Sequence, residues 1–467
     1  MTQLAQIVDM ITPKTTTRRL AKLAQRCSAV HLPGTSQYDQ GRFAWNVAVD
    51  QRPGAVGLPE TIEDLCHIVR HAARLGLRVT TQTTGHAASV LAQHDLSDVV
   101  LVRTTAWRGV HIDPARRIAR VEAGAVWQDV VDAAAPHGLA AMHGSAHDVG
   151  VVGYTLGGGL SWYARKHGLA SNNVVGIELI TPEGEVVRAD AHHRPDLFWA
   201  LRGGGGNFGV VTTIEISLLP IEDVYAGMMI WPLDRAPEVL RTYAAWSASA
   251  PDEITASLRF LRFPPLPELP DFLRGRSVVV FDAAVLLDDD AAEAVLAPLR
   301  SLAPEMDTFA RVPAATLTTL HMDPPQPTPG VGGGIAIDRL DDEAIEAFLA
   351  AVGPQSSTDL LIAELRLLGG ALGRVPQGAG AVEGIEGTHL AFVMAVAPTP
   401  EIAAASDIEV ERVLEMLAPF QARWHFLNLA DRPVDVSRAF APQTWRRLRE
   451  VKATVDPDGL FLANHAI

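Results

Sequence analysis

Residues 196–220 read DLFWALRGGGGNFGVVTTIEISLLP. A helix-like run precedes the glycines, and a β-branched run follows them. Gly204, Gly206 and Gly209 satisfy the fingerprint GxGxxG, which in a nicotinamide Rossmann site needs a strand before it and a helix after it. Because the order here is reversed, this stretch disfavours such a site. It predicts instead a glycine loop whose backbone N–H groups converge on an anion.

Two more glycine-rich loops stand upstream of this stretch. Residues 83–87 read TTGHA, and residues 150–159 read GVVGYTLGGG. No lysine follows any of the three loops in the GxxxxGK[ST] pattern, which disfavours a nucleoside-triphosphate site. One such loop alone would be read as an ordinary turn. Three together favour a diphosphate ligand.

Helical and strand patterns alternate from about residue 48 to residue 220, which predicts an α+β fold. Thr61 and Asp64 begin a helix that ends at Gly76. Strands are predicted over 77–81, 99–103, 118–122, 177–181 and 185–188, with a helix over 126–135.

From about residue 221 the pattern changes. Longer strands, 277–287 and 360–368, alternate with alanine-rich helices over 290–302 and 342–352, which indicates a second domain. The proline-rich stretches 264–267 and 324–329 are predicted to be exposed connections that could border a substrate entrance.

Composition narrows the classes of partner. The 467 residues include 39 basic and 54 acidic side chains, a formal charge of −15, so nucleic acid and membrane surfaces are unfavourable partners. The two cysteines, Cys27 and Cys66, have no paired spacing, and no metal site is expected. The N-terminus lacks the apolar run of a signal peptide, so we expect a cytoplasmic protein.

The sequences of the loops and of their flanking segments resemble those of a known family. Residues 59–89 (PETIEDLCHIVRHAARLGLRVTTQTTGHAAS), 123–162 (AGAVWQDVVDAAAPHGLAAMHGSAHDVGVVGYTLGGGLSW), 196–220 and 445–467 (WRRLREVKATVDPDGLFLANHAI) closely resemble the vanillyl-alcohol oxidase and berberine-bridge-enzyme-like flavoproteins. The resemblance implies a two-domain PCMH-type FAD-binding fold, with an antiparallel-sheet substrate domain backed by helices. It suggests a helical lead-in over 1–45, an FAD-binding domain over 46–220, a substrate domain over 221–425 and a return to the FAD domain over 426–467.

The resemblance also implies a cofactor site. In the family, the histidine matching His86 is bonded to the 8α-methyl of FAD. The other residues that it predicts to bind FAD are Gln82, Thr83, Thr84, Gly85, Ala87, Gly150, Val151, Gly153, Leu156, Gly158, Gly209, Val211 and Asn464.

Three positions bear on how far the family pattern applies to this chain. Many relatives read Gly-Ser-Cys-Pro-Thr-Val-Gly where this chain has Ala146 in place of the cysteine that makes a second flavin bond, so the tether is expected through His86 only. Val149 matches a position that controls oxygen access, where valine favours an oxidase. A motif with tyrosines in relatives reads Phe-Leu-Asn-Leu at 426–429.

The catalytic base is therefore not given by the family pattern. All five tyrosines lie at or before residue 243. His143 and His147 flank Ala146, histidine exchanges protons near neutral pH, and Tyr163 follows a glycine triplet, so these three are the candidates. The alternative is that His143 and His147 are solvent-exposed loop residues with no catalytic role. Glu364 and Arg366 fall on one strand face, and we favour their facing solvent over binding a polar substrate.

The function expected is an FAD-dependent oxidoreductase, an oxidase that moves a hydride from a small organic substrate to flavin N5 and is reoxidised by O2, with a role in secondary metabolism by analogy. Two alternatives remain open at this stage. One is a non-redox cyclisation or isomerisation on the flavin scaffold, and the other is a binding protein with a vestigial flavin site.

Overall fold

The computed structural model describes residues 3–267, 269–423 and 425–467, and within α1 it describes side chains from Thr15 onward. The helices are α1 (Gln3–Arg26), α2 (Ser36–Gly41), α3 (Ile62–Leu75), α4 (Ala88–Leu91), α5 (Trp127–Ala134), α6 (Val151–Leu156), α7 (Ala164–His167), α8 (Pro195–Gly204), α9 (Ala236–Ser247), α10 (Asp289–Arg300), α11 (Leu317–Leu320), α12 (Asp342–Val352), α13 (Pro400–Leu417) and α14 (Pro442–Val455). Residues 1 and 2 of the predicted lead-in lie outside the described residues.

The first sheet is mixed and has the strand order β1-β2-β4-β3. Its strands are β1 (Val30–His31), β2 (Ala55–Gly57), β3 (Arg78–Gln82) and β4 (Val99–Arg103). Helix α3 leads into β3: the Thr61 hydroxyl accepts from the Asp64 N–H, the Asp64 carboxylate accepts from the Thr61 N–H, and Gly76 ends the helix in the left-handed region at φ 61°. Strand β3 therefore delivers the first glycine loop directly from a buried sheet.

The second sheet is antiparallel, in the order β5-β6-β9-β7-β8. Its strands are β5 (Val110–Asp113), β6 (Ile118–Glu122), β7 (Val174–Ile180), β8 (Val186–Ala189) and β9 (Val210–Ser217). The reversed glycine context predicted from sequence is confirmed, since α8 leads into the four glycines and β9 follows Gly209.

The third sheet is antiparallel and contains β10 (Asp223–Pro232), β11 (Ile254–Arg262), β12 (Ser277–Val285), β13 (Met306–Asp307), β14 (Ala310–Pro313), β15 (Gly330–Ile337), β16 (Ile362–Leu367) and β17 (His389–Val396). Its central order is β10-β12-β11-β16-β17-β15. The α+β class and the helix-backed antiparallel sheet predicted from sequence are confirmed.

Strand alternation gives the third sheet two different faces. Leu258, Phe281, Leu365 and Val393 point to one side and are buried against apolar residues of α9, α10, α12 and α13. Residues of the opposite parity, such as Arg259, point to the other side. The sheet is thus held by an apolar core on one face, and its other face is free to line a site.

The C-terminal segment returns to the first sheet. Phe461 pairs in parallel with Val79, and buried Asp456 accepts hydrogen bonds from the N–H groups of Leu460 (2.8 Å) and Phe461 (2.9 Å). The Lys452 ammonium, 2.6 Å from the Asp456 carboxylate, completes this junction. One buried carboxylate therefore fixes the end of the chain beside the glycine loops.

Within the part of the chain that the structure describes, no helix combines the length and the apolar character that a membrane crossing needs.

Replacing Asp456 by alanine is expected to lower the stability by about 3 to 5 kcal/mol, because it leaves the mostly buried Lys452 ammonium without its counter-charge. The midpoint of thermal unfolding measures this loss. Asp458→Ala changes an exposed carboxylate two residues away and serves as the control. Equal midpoints for the two variants would contradict the assignment.

Candidate active site

One large cavity of about 730 Å³ lies where the glycine loops face the third sheet. It is in the size range of small-molecule and cofactor sites. Most of the residues predicted to bind a cofactor line it. They are Gln82, Thr83, Thr84, Gly85, His86, Ala87, Gly150, Gly153, Leu156, Gly209, Val211 and Asn464.

Two predicted cofactor residues point elsewhere. Val151 is fully buried in the core around Trp127, and its neighbour Val152 lines the cavity instead. Gly158 packs toward Phe426, and Gly157 takes its place at the cavity. In both cases the predicted loop lies at the cavity, and a neighbouring residue lines it.

The glycines matter because the chain passes close to itself beside the cavity. Gly85 has φ +89°, and a Cβ there would lie 2.9 Å from the Ala44 Cα. A Cβ at Gly209 would lie 2.9 Å from the Ile180 carbonyl oxygen. By contrast Gly153 has open space in front of it, so bare backbone of α6 faces the cavity.

His86 is held on three sides. Its Nδ1 lies 2.8 Å from the Thr84 hydroxyl oxygen, and the Trp45 ring stacks on the imidazole with centroids 4.2 Å apart. Its Nε2 is 3.4 Å from Oδ1 of Asp148. The structure therefore fixes the plane of the ring at the cavity wall.

Two asparagines join distant segments around the cavity. The Asn464 amide donates to the Ala87 carbonyl (2.9 Å), which ties the C-terminus to the first loop. The Asn428 amide donates to the Tyr154 carbonyl (2.9 Å). The Asn428 Oδ1 and the Tyr154 hydroxyl are buried without a hydrogen-bond partner in the protein, and both residues line the cavity.

The three predicted catalytic residues do not line this cavity. His143 is buried with Nδ1 2.7 Å from the Gly144 carbonyl oxygen, and burial lowers its pKa to about 4. Tyr163 is fully buried in an apolar cluster that raises its pKa. His147 lies in the loop between them with its ring off the cavity. From this loop Ser145 and Ala146 line the cavity instead.

Glu364 and Arg366 face the cavity, not solvent, which corrects the sequence interpretation. Their strand β16 lies between β11 and β17, so both of its edges are paired, and Glu364 is buried. The Arg366 Nε donates to Glu364 at 2.7 Å, and Ser257 also donates to this carboxylate. Although burial raises the pKa of Glu364, Arg366 and His321 hold it well below its usual range.

His321 was missed by the sequence analysis and lies at the same end of the cavity. Its Nδ1 is 2.9 Å from the buried Asp282 carboxylate, and Nε2 is 3.4 Å from an Arg366 nitrogen. Burial and Arg259 act to lower its pKa, but Asp282 outweighs them and the net shift is upward. No local sequence motif could have identified His321, because its partner Asp282 is 39 positions away in the chain.

Asp431 is another ionisable residue on the cavity wall. Burial raises the pKa of its carboxyl to about 6. Its backbone carbonyl accepts a hydrogen bond from the Ser89 hydroxyl at 2.9 Å, which links the C-terminal segment to α4. Pro324 and Thr328, from the second proline-rich stretch, also line the cavity, as the sequence suggested for a substrate entrance.

These features define a class before any relative is considered. Backbone from three glycine loops is suited to a diphosphate, and a polar sheet face lies opposite. The residues present thus fit a diphosphate-containing cofactor such as FAD.

A family described as "FAD binding domain" matches residues 53–190. (R)-6-hydroxynicotine oxidase of Paenarthrobacter nicotinovorans is 36% identical over 200 residues, which is 43% of either chain. Chitooligosaccharide oxidase of Gibberella zeae is 28% identical over 236 residues, 48% of this chain and 46% of the relative. The aligned part therefore spans less than half the length of these curated relatives.

Solved structures agree over nearly the whole chain. The berberine-bridge-enzyme-like protein 1 of Physcomitrella patens has a TM-score of 0.81 at 20% identity, covering 97% of this chain and 98% of the other. The 6-hydroxy-D-nicotine oxidase of Arthrobacter nicotinovorans has a TM-score of 0.78 at 24% identity, covering 92% and 96%. The chain therefore has the fold of these solved structures over nearly its whole length, and residues 53–190 match an FAD binding domain.

Gly153→Leu tests the cofactor site without disturbing the fold. Because nothing lies within 4 Å of a Cβ at Gly153, the apoprotein should unfold at nearly the wild-type temperature, whereas the side chain would fill space needed by FAD. Flavin content measured by absorbance is expected to fall sharply. Gly373→Leu, at an equally open but remote surface glycine, should keep full flavin content. Normal flavin content in Gly153→Leu would place the cofactor elsewhere.

Proposed function

We propose that this protein is an FAD-dependent oxidase that takes a hydride from a small organic substrate. The observation that carries the proposal is the shared cavity, in which the glycine loops face a charged wall formed by His321, which follows α11, and by Glu364 and Arg366 of β16. Two of the relatives reported above are named oxidases, which favours redox chemistry over cyclisation or isomerisation on the same scaffold. The boundaries 46–220 and 221–425 are proposed for the two domains.

FAD would be tethered through His86 alone. Ala146 lines the cavity where many relatives carry the second flavin-bonding cysteine, and its methyl group forms no such bond. When bound, FAD supplies the hydride acceptor and passes electrons to dioxygen. Val149, also on the cavity wall, is the small side chain expected to leave a path for dioxygen.

The protein's own contribution is to position the substrate and to accept its proton. Asp282 holds Nδ1–H of His321, so the lone pair of the neutral ring lies on Nε2, toward Arg366 and the cavity. We propose that His321 Nε2 takes the proton of a substrate O–H or N–H. The Arg366 guanidinium stabilises the negative charge that develops on that oxygen or nitrogen.

Glu364 is better suited to positioning. Its carboxylate is already engaged by Arg366 and Ser257, and its lowered pKa makes it a weak base. On the strand next to it, Phe392 lies directly opposite Glu364, and Met394 lies opposite Ile362. This apolar wall beside one charged corner fits a substrate with an apolar or aromatic body and one hydroxyl or amine group.

The first test is the absorbance spectrum of the purified protein after acid precipitation. A yellow pellet that becomes colourless in His86→Ala is expected for a tethered flavin. Anaerobic addition of substituted phenols, alcohols and cyclic amines should then bleach the flavin with at least one compound, and air should restore the colour with release of peroxide. A protein that converts a substrate without any bleaching would instead support the non-redox alternative.

His321→Gln is expected to lower kcat/KM by about 10² to 10⁴-fold, the usual contribution of a proton acceptor. His192→Gln, at an exposed histidine, is the control. Unchanged kcat/KM in His321→Gln would remove this residue from the chemistry.

The pH profile gives an independent check of the same pair. Only neutral His321 accepts a proton, so kcat/KM should rise with pH through a pKa above the usual 6.5 and be lost as pH falls below it. Asp282→Asn removes the charge that raises this pKa, leaving burial and Arg259, which lower it. The rise should therefore move about 1 to 3 units toward lower pH. If kcat/KM rises at the same pH in Asp282→Asn as in the wild type, a group other than His321 is responsible for the pH dependence.

A further inference from the structure

Trp45, His86 and Asp148 form a cluster on three segments that are far apart in the chain. The Trp45 ring covers one face of the His86 imidazole, and the Trp45 indole N–H donates to Oδ2 of Asp148. The other carboxylate oxygen, Oδ1, is 3.4 Å from His86 Nε2. Trp45 therefore holds both the imidazole and the carboxylate, and it fixes them relative to each other.

The free atoms of this cluster face one another. His86 Nε2 and Asp148 Oδ1 are both buried, and neither has another hydrogen-bond partner in the protein. A buried carboxylate next to an imidazole nitrogen favours a proton on that nitrogen. Burial acts to raise the pKa of Asp148, but His86 and Trp45 outweigh it and the net shift is downward. Asp148 is thus an ionised acceptor aimed at Nε2.

This arrangement selects the tautomer of His86. With the proton on Nε2, the lone pair is on Nδ1, where the Thr84 hydroxyl donates a hydrogen bond at 2.8 Å. Nδ1 is then the nucleophilic nitrogen of the ring. Asp148 stands where the family pattern quoted above has threonine, so the acceptor is a feature of this chain's own loop.

We propose that Asp148 is the positioning residue for attachment of FAD to His86, accepting the Nε2 proton while Nδ1 forms the bond to the 8α carbon. The inference rests on the proposed tether. It adds to the tether a named proton acceptor and a named ring nitrogen.

The reaction balances as follows. A C–H bond of the 8α-methyl and the Nε2–H bond are broken, and one N–C bond is formed, which releases two protons and two electrons. The electrons pass into the flavin and then to dioxygen, which takes up two protons to give hydrogen peroxide. Asp148 receives one of these protons from His86 and returns it to solvent. Asp148 itself is unchanged at the end.

The test separates binding of FAD from its attachment. Apoprotein would be incubated with FAD in air, samples would be precipitated with acid at intervals, and flavin fluorescence of the denatured protein band would measure the tethered fraction. Asp148→Asn keeps the shape but cannot accept the proton, and Trp45→Phe keeps the stacked ring but loses the N–H that holds Asp148. Asp50→Asn, at a half-exposed aspartate in the same N-terminal segment, is the control.

The rate of attachment is expected to fall about 100-fold in Asp148→Asn, while FAD still binds and is released into the acid supernatant. Trp45→Phe should be slowed less, and Asp148→Glu should recover part of the rate. Attachment at the wild-type rate in Asp148→Asn overturns the inference. If Asp148→Asn does not fold, wild-type attachment in Trp45→Phe overturns it equally.

Failure of the tether itself would look different. A wild-type protein that releases all of its flavin into the acid supernatant would overturn both the tether and the role of Asp148. Reversible bleaching of the same untethered protein by a substrate would still support the oxidase proposal.

Discussion

The site depends on one constraint, which is that bare backbone must approach a doubly charged diphosphate from several directions at once. The three glycine loops contain no lysine or arginine, so partial charges on N–H groups have to supply the attraction. That requires the loops to be fixed by their surroundings. Gly85 and Gly209 are pressed against neighbouring backbone, whereas Gly153 is left open to the cavity. Tight packing behind the loops and open space before them are two parts of the same arrangement.

The third sheet solves a different problem, which is to bury charge without losing stability. Its apolar face packs on four helices, and its other face carries Ser257, Arg259, Asp282, Glu364 and Arg366. Each carboxylate there has a cationic partner: Arg259 lies diagonal to Asp282 on the neighbouring strand, and Arg366 lies two residues along the same strand from Glu364. Because truncating one partner of a buried pair is costly, the set is held in a defined geometry. Such a wall can orient a substrate and tune the pKa of His321.

Contacts between distant segments of the chain hold the glycine loops and the third sheet around the same cavity. Asp456 and Lys452 anchor the C-terminal segment on β3, and Asn464 ties it to the first glycine loop. Asn46 reaches the backbone of Gly330 with two hydrogen bonds, and Ser89 bonds to the carbonyl of Asp431. The cavity is therefore enclosed by contacts between residues that are 284 and 342 positions apart in these last two cases.

The sequence by itself determined the α+β class, the bounds of β4, β6 and α12, and the glycine loops that line the cavity. These features follow from local causes: periodicity of 2 or 3.6, capping residues, and glycine where Cβ is excluded. The resemblance to known flavoproteins added the overall fold and singled out His86 as the candidate for the flavin bond. Only the tertiary structure decided that His143 and Tyr163 are buried behind the loop, that Glu364 and Arg366 face the cavity, and that His321 meets Asp282 and Asp148 meets His86. The physical reason is that burial and charge pairing are set by strand neighbours and crossing segments, which sequence spacing does not encode.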